Sequence, residues 1–288
     1  MNDSLGPNQF TIQPPSPVAE QIADLMRSRR TLVLTGAGVS TGSGLPDYRG
    51  TGGGATPTVD IDMFHAHQYW RNWVWQRNHE TWHNLLTIEP NPAHHALAQL
   101  EQAELVTGIA TQNIDGLHSL AGSQNVWELH GTYQFARCTQ CDKRLPRAEY
   151  AVLLDQLNPN WPTVPGDIAI LAEATAAAKQ LAQESRFHPA PCPYCGGIMK
   201  PDIVMFGEAL PPAMDYAMSA ANECDVILIV GTSLIVSTGA WVARQAWARQ
   251  ADVVIINQGP TALDRIADIR CDDDASTLLP AIAQALGI

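Results

Sequence analysis

The run Thr31-Leu-Val-Leu-Thr35 breaks directly into glycines, at Gly36, Gly38, Gly42 and Gly44. An apolar run without alternation predicts a strand buried on both faces, and therefore a parallel one. A parallel strand ending in glycines is how a dinucleotide-binding unit opens, because backbone without Cβ atoms can approach a pyrophosphate closely. The spacing departs from the dehydrogenase fingerprint. Gly36, Gly38 and Gly42 give G-x-G-x-x-x-G, Pro46 blocks helix continuation, and Asp47 and Arg49 follow on a loop. A second strand ending in an acidic residue about 20 positions on is also lacking, which disfavours hydride transfer.

Apolar runs recur along the chain. Segments 106–111, 203–206, 226–230 and 253–256 predict strands, and 18–30, 94–101 and 240–249 predict helices between them. Segment 60–93 is helical in pattern and rich in Trp and His, with Pro90 and Pro92 ending it. An alanine-rich helix is expected over 170–184, and Pro280 is placed at the start of a C-terminal helix. The alternation predicts an α/β fold: a Rossmann-like parallel sheet domain with a smaller zinc-binding and helical domain inserted. Residues 1–17 read as a flexible arm. Segments 18–49, 94–133 and 201–288 read as the dinucleotide domain, 50–93 as a helical module with a cofactor loop, and 134–200 as a zinc module.

Four of the six cysteines form two pairs, Cys138-x-x-Cys141 and Cys192-x-x-Cys195, with 50 residues between them. Two such knuckles make a tetrahedral four-thiolate site for one Zn2+. Four protein ligands leave no open position, so the metal is structural. The redox reading of C-x-x-C fits less well with two pairs set among Pro191, Pro193, Gly196 and Gly197. Cys224 and Cys271 have no sequence partner.

Thr111-Gln-Asn-Ile-Asp115 follows a predicted strand, where an open α/β sheet collects its ligands. Asn113 and Asp115, two apart, face one way on extended backbone and can pair with a primary carboxamide such as that of nicotinamide. Taken alone they equally suit an Asx turn. His130, before Gly131 at another strand end, suits a general base.

Together these motifs resemble the sirtuins, NAD-dependent protein deacylases. The resemblance runs from about residue 20 to residue 285 and includes Gly231-Thr-Ser233, Lys200–Gly207 and Asn257. Tyr48, Asn91-Pro-Ala-His94 and Leu157-Asn-Pro159 make the chain most like class II members. The resemblance implies that NAD phosphate lies on Gly36, Ala37 and Gly38, with Asp47 and Arg49 ordering the cofactor loop. Tyr48 is to shield the ribose, Ser40, Asn113, Ile114 and Asp115 to hold nicotinamide, and Gln112 to contact ribose. Gly231, Thr232, Ser233 and Asn257 serve phosphate and the adenosine ribose, with the Cys271 backbone near adenine. His130 and Asn113 are the implied catalytic residues, and acyl-lysine proteins the substrates. A Tyr-x-x-Arg pair for acidic acyl groups is not found between Thr51 and Pro92, which argues against them.

A net charge of −12 gives no basic field for nucleic acid. The uncharged run 226–243 holds Gly231, Thr232, Ser233, Ser237, Thr238 and Gly239, and reads as strand, loop and helix rather than a membrane span. The first residues lack a signal peptide pattern, so a cytoplasmic location is expected. His79-Glu-Thr-Trp-His83 matches H-E-x-x-H in form only, since no third ligand accompanies it. ADP-ribosyl transfer, NAD hydrolysis and a non-enzymatic scaffold are the competing readings. Nothing in the sequence sets the oligomeric state.

Overall fold

The computed structural model describes residues 16–46, 58–162 and 173–288. Its strands are β1 (Thr31–Thr35), β2 (Val106–Thr111), β3 (Val126–Glu128), β4 (Gly131–Cys138), β5 (Arg144–Pro146), β6 (Met199–Ile203), β7 (Val226–Val230), β8 (Asp252–Ile256) and β9 (Ile269–Cys271). Its helices are α1 (Pro17–Met26), α2 (Ile61–Ala66), α3 (Gln68–Leu85), α4 (Pro92–Gln102) and α5 (Leu117–Leu120), then α6 (Arg147–Leu157), α7 (Ala176–Glu184), α8 (Ala213–Glu223), α9 (Ser237–Ala248) and α10 (Ala275–Leu286).

Six parallel strands lie in the order β3-β2-β1-β7-β8-β9. Side chains alternate across the sheet, so Val33 packs with α1, α4 and α10 on one face while Leu32 and Leu34 pack with α8 and α9 on the other. Strand order reverses between β1 and β7, and the carboxyl ends at such a switch point form a crevice.

The second sheet is antiparallel, in the order β5-β4-β6. It corrects the expectation of a parallel strand over 203–206. The strand there is Met199–Ile203, and it pairs with β4. Its polar residues hid it: Lys200 is buried against Glu208 at 3.0 Å, and Asp202 accepts an ion pair from Arg144 at 2.6 Å. The small sheet thus begins at Gly131 and closes at Ile203.

Other boundaries shift for local reasons. Of the arm expected over 1–17, residues 1–15 lie outside the described ones, and Pro17 already begins α1. Ser16 caps α1, which stops at Met26, and Ser28 then turns to φ 57°. Pro280 lies inside α10 rather than at its start, because the helix begins at Ala275. Of the alanine-rich helix only Ala176–Glu184 is helical among the described residues, capped by the Thr175 side chain. Asn91 and His94 close a capping box on α4, with Pro92 at the first helical position. No described helix is long and apolar enough to cross a membrane.

Candidate active site

The loops leaving β1 and β7 meet at the switch point. Gly38 N–H donates to the Gly231 carbonyl at 2.8 Å. Gly231 has φ 60°, and a Cβ on it would lie 2.3 Å from the Val39 nitrogen. A Cβ on Gly38 would lie 2.8 Å from Gly231 Cα. These glycines are therefore needed first for loop-on-loop contact, before any ligand is considered.

Beyond β2, the backbone turns so that Asn113 and Asp115 point to the same buried spot. Asn113 Nδ2 donates to the Gly36 carbonyl and to Ser40 Oγ, both at 3.1 Å. Ser40 Oγ donates to Asp115 Oδ2 at 2.8 Å, and Leu117 N–H donates to Asp115 Oδ1 at 2.9 Å. Burial raises the Asp115 carboxyl above its ordinary range, while the Leu117 N–H and the Ser40 hydroxyl pull it back. The Ile114 carbonyl accepts from Tyr133 N–H at 3.1 Å, tying this turn to β4.

His130 sits between β3 and β4. Its Nδ1 is 2.9 Å from the Gln112 carbonyl, which can only accept, so Nδ1 carries the proton. Nε2 is then the basic nitrogen, and the Thr238 hydroxyl donates to it at 2.6 Å. Burial lowers the His130 pKa, partly offset by the Gln112 carbonyl. The imidazole is neutral at pH 7 in a fixed tautomer. Gln112 Nε2 in turn donates to Thr232 Oγ1 at 2.8 Å, so the two loop systems are connected.

At the far end, Asn257 N–H donates to the Cys271 carbonyl at 3.1 Å. Its side-chain Nδ2 donates to the Gly259 carbonyl at 2.8 Å. Thr232 Oγ1 accepts from Leu234 N–H at 3.2 Å, and the Ser233 carbonyl accepts from Ala262 N–H at 2.9 Å. Asp47, Tyr48 and Arg49 lie outside the described residues.

The four cysteines converge. Their sulfurs all lie within 4.8 Å of one another, with Cys138–Cys195 at 3.6 Å and Cys141–Cys192 at 3.7 Å. A tetrahedral Zn–S bond of about 2.3 Å requires sulfurs about 3.8 Å apart, so the set fits zinc. Burial disfavours the Cys138 thiolate, yet N–H groups of Cys141 and Gln140 outweigh it and bring the thiol down to about 7. His79 is not a ligand: it pairs with Asp155 at 3.0 Å, and the cysteines are the one metal-capable group found among the described residues.

Residues 36–238 match the Sir2 family. The NAD-dependent protein deacetylase 1 of Mycobacterium avium (strain 104) is 39% identical over 267 residues, covering 92% of this chain and 95% of the relative. The chain belongs to the Sir2 family. A solved Sir2–p53 peptide–NAD+ structure is 30% identical with a TM-score of 0.72, covering 93% of this chain and 98% of that one. A Sir2 structure with the inhibitor EX-527, 2′-O-acetyl-ADP-ribose and a deacetylated p53 peptide is 29% identical, also at 0.72, covering 93% and 99%.

The Sir2 fold also places residues at the site that motif reading missed. His118 is fully buried, with Nε2 2.9 Å from Thr35 Oγ1, which donates to Thr111 Oγ1 at 2.8 Å. Thr111 Oγ1 accepts from Asn113 N–H at 3.1 Å, completing a relay to the site. Burial keeps His118 neutral and holds His94, beside it, down at about 4. Glu128, opposite Thr111 in register, is pushed up to about 7 by burial. The capping position of His94 was readable from Asn91-Pro-Ala-His94. His118 and Glu128 gave no local signal.

Proposed function

We propose that this protein is an NAD-dependent protein-lysine deacylase, which moves the acyl group from lysine onto ADP-ribose and releases nicotinamide. The observation that carries the mechanism is His130: neutral, with Nδ1–H on the Gln112 carbonyl and a basic Nε2 at the strand ends. NAD supplies a ribosyl–nicotinamide bond whose cleavage opens the ribose to the acyl oxygen. With NAD bound, His130 Nε2 would serve as the proton acceptor for a ribose hydroxyl. Thr238 holds Nε2 until substrate arrives.

The donor set suits a dinucleotide carrying a carboxamide. Asn113, Ser40 and Asp115 form one buried, mutually bonded cluster for nicotinamide, in which both Nδ2 hydrogens of Asn113 are donated and the Asp115 carboxyl and Asn113 Oδ1 keep acceptor capacity. Gly36, Ala37, Gly38, Gly231, Thr232 and Ser233 line the phosphate side, with Asn257 and the Cys271 backbone toward adenosine. Asp47, Tyr48 and Arg49 complete the loop over the ribose in the same reading. The four cysteines hold Zn2+ as a structural ion.

Acyl-lysine proteins are the substrates, and the charge of −12 disfavours nucleic acid as a partner. A cytoplasmic location accords with four thiols kept for metal rather than disulfides. Class II placement rests on Tyr48, Asn91–His94 and Leu157–Pro159. The test is mass spectrometry of an acetyl-lysine peptide with and without NAD, alongside His130→Ala. NAD-dependent acetyl loss yielding O-acetyl-ADP-ribose, cut about 100-fold or more in the variant, is expected. NAD turnover without acyl loss would move the reading to ADP-ribosyl transfer.

A further inference from the structure

His130 is held at both ring nitrogens. The Gln112 carbonyl takes the Nδ1 proton at 2.9 Å, and Thr238 Oγ1 lies 2.6 Å from Nε2. Thr238 is buried in the first turn of α9, a helix whose N-terminus no side chain caps. Its hydroxyl makes no other hydrogen bond with a described residue. The next residue, Gly239, lies so near Gln112 that a Cβ on it would come 2.7 Å from Cδ of that side chain. One helical turn therefore meets both Gln112, which fixes Nδ1, and Nε2 itself. The place of the Thr238 hydroxyl is set by helix packing.

A general base needs support in two protonation states. While Nε2 carries a lone pair it needs a donor, and the Thr238 O–H supplies it. Once the ring has gained a proton, Nε2–H needs an acceptor. The first turn of a helix offers mostly donors, because its backbone N–H groups have no partners within the helix. Its partial positive charge also opposes a cation. Burial works against the imidazolium too, and only burial and the Gln112 carbonyl shift its pKa, so no carboxylate among the described residues balances the charge.

The Thr238 oxygen is the acceptor that this turn brings to the ring. A hydroxyl serves both states by turning about its Cβ–Oγ1 bond, as donor to one form and acceptor to the other. A hydrogen bond to a charged ring is stronger than one to a neutral ring, so on balance the hydroxyl favours the imidazolium.

We propose that Thr238 is a positioning residue for the general base: its hydroxyl donates to Nε2 in the resting protein and turns to accept the Nε2 proton once the ring has taken it. The proton of Thr238 stays on its own oxygen throughout, and the proton that moves is the one His130 gains. The use of this device in catalysis rests on the deacylase reading.

The experiment titrates the His130 ring resonances with pH by NMR in the protein without NAD, assigned by their loss in His130→Ala. Thr238→Val keeps the branched shape without the hydroxyl and is expected to lower the His130 pKa by about one pH unit. Thr238→Ser keeps the hydroxyl and is expected to stay near wild type. A pKa unchanged or raised in Thr238→Val, or lowered equally in Thr238→Ser, overturns the proposal. If Thr238→Val fails to fold by circular dichroism, Thr238→Ala is compared with Thr238→Ser, since those two differ by the hydroxyl alone. In turnover of an acetyl-lysine peptide, the acid limb of kcat/KM in Thr238→Val is expected to move down with the pKa, and the plateau to fall about tenfold. Exchange of labelled nicotinamide into NAD, which precedes the proton step, is expected to fall less. Equal loss in both would mark a packing role and overturn the proposal. A wild type that removes no acyl group removes the deacylase reading, and the titration without NAD still decides what Thr238 does to the ring.

Discussion

Where β1 and β7 bury every residue and carry no charge, β6 buries a lysine and an aspartate within five residues. The large sheet is held by apolar area removed from water, packed on both faces by helices. The small sheet has a lesser core around Trp75, Tyr150, Leu154 and Phe187, and adds to it paired charges, Trp75 Nε1 donating to the Met199 carbonyl at 2.8 Å, and four converging thiols. The large region is packed with apolar side chains on both faces, whereas the small one adds charged pairs and thiols to a lesser core.

The sharpest way to break this comparison is to remove the metal. Structural zinc contributes on the order of 10 kcal/mol where folding depends on it. Chelation or Cys141→Ser is expected to strip amide protection from residues 131–203 while β1 and β7 stay protected, read by hydrogen exchange. Equal loss in both regions would mean that the large sheet is not self-sustaining.

A smaller effect tests the large region at a crowded point between its loops. Gly231→Ala adds a Cβ 2.3 Å from the Val39 nitrogen at φ 60°. It is expected to cost about 3 kcal/mol, seen as a lower urea midpoint with an unchanged m-value. A cost below about 1 kcal/mol would show that the two loops separate freely.

The smallest effect is acid sensitivity. His94 has a folded pKa of about 4 against about 6.5 unfolded. The folded state binds fewer protons between those values, so stability is full above about pH 6.5 and falls as pH drops toward about 4. Buried, neutral His118 acts in the same direction. Urea midpoints measured from pH 8 to pH 4 should decline through this window, and a flat profile would contradict the burial of both rings.

The two regions also differed in how readable they were. β1, β2, β7 and β8 announced themselves because a strand buried on both faces is an apolar run, and the motifs that follow them sit where such strands end. The cysteine pairs were legible from spacing alone. β6 was not, because Lys200 and Asp202 become tolerable in a buried strand only through Glu208 and Arg144, contacts that no local pattern encodes. Arg147, buried at the start of α6, was silent as well, because its guanidinium lies against the Trp75 and Trp82 rings of α3, a contact that no local pattern encodes. The relay of His118, Thr35 and Thr111 joins three segments that only strand pairing brings together.

Among the described residues, β3 of the large sheet passes directly into β4 of the small one. Gly131 pairs with Ile203, and the His130 carbonyl accepts from Val204 N–H at 2.8 Å, so the outgoing and returning strands pass side by side at His130. His130 therefore stands at the seam of the two sheets, its position shared by the backbone of both, so a change in the small sheet's pairing is felt first at this residue.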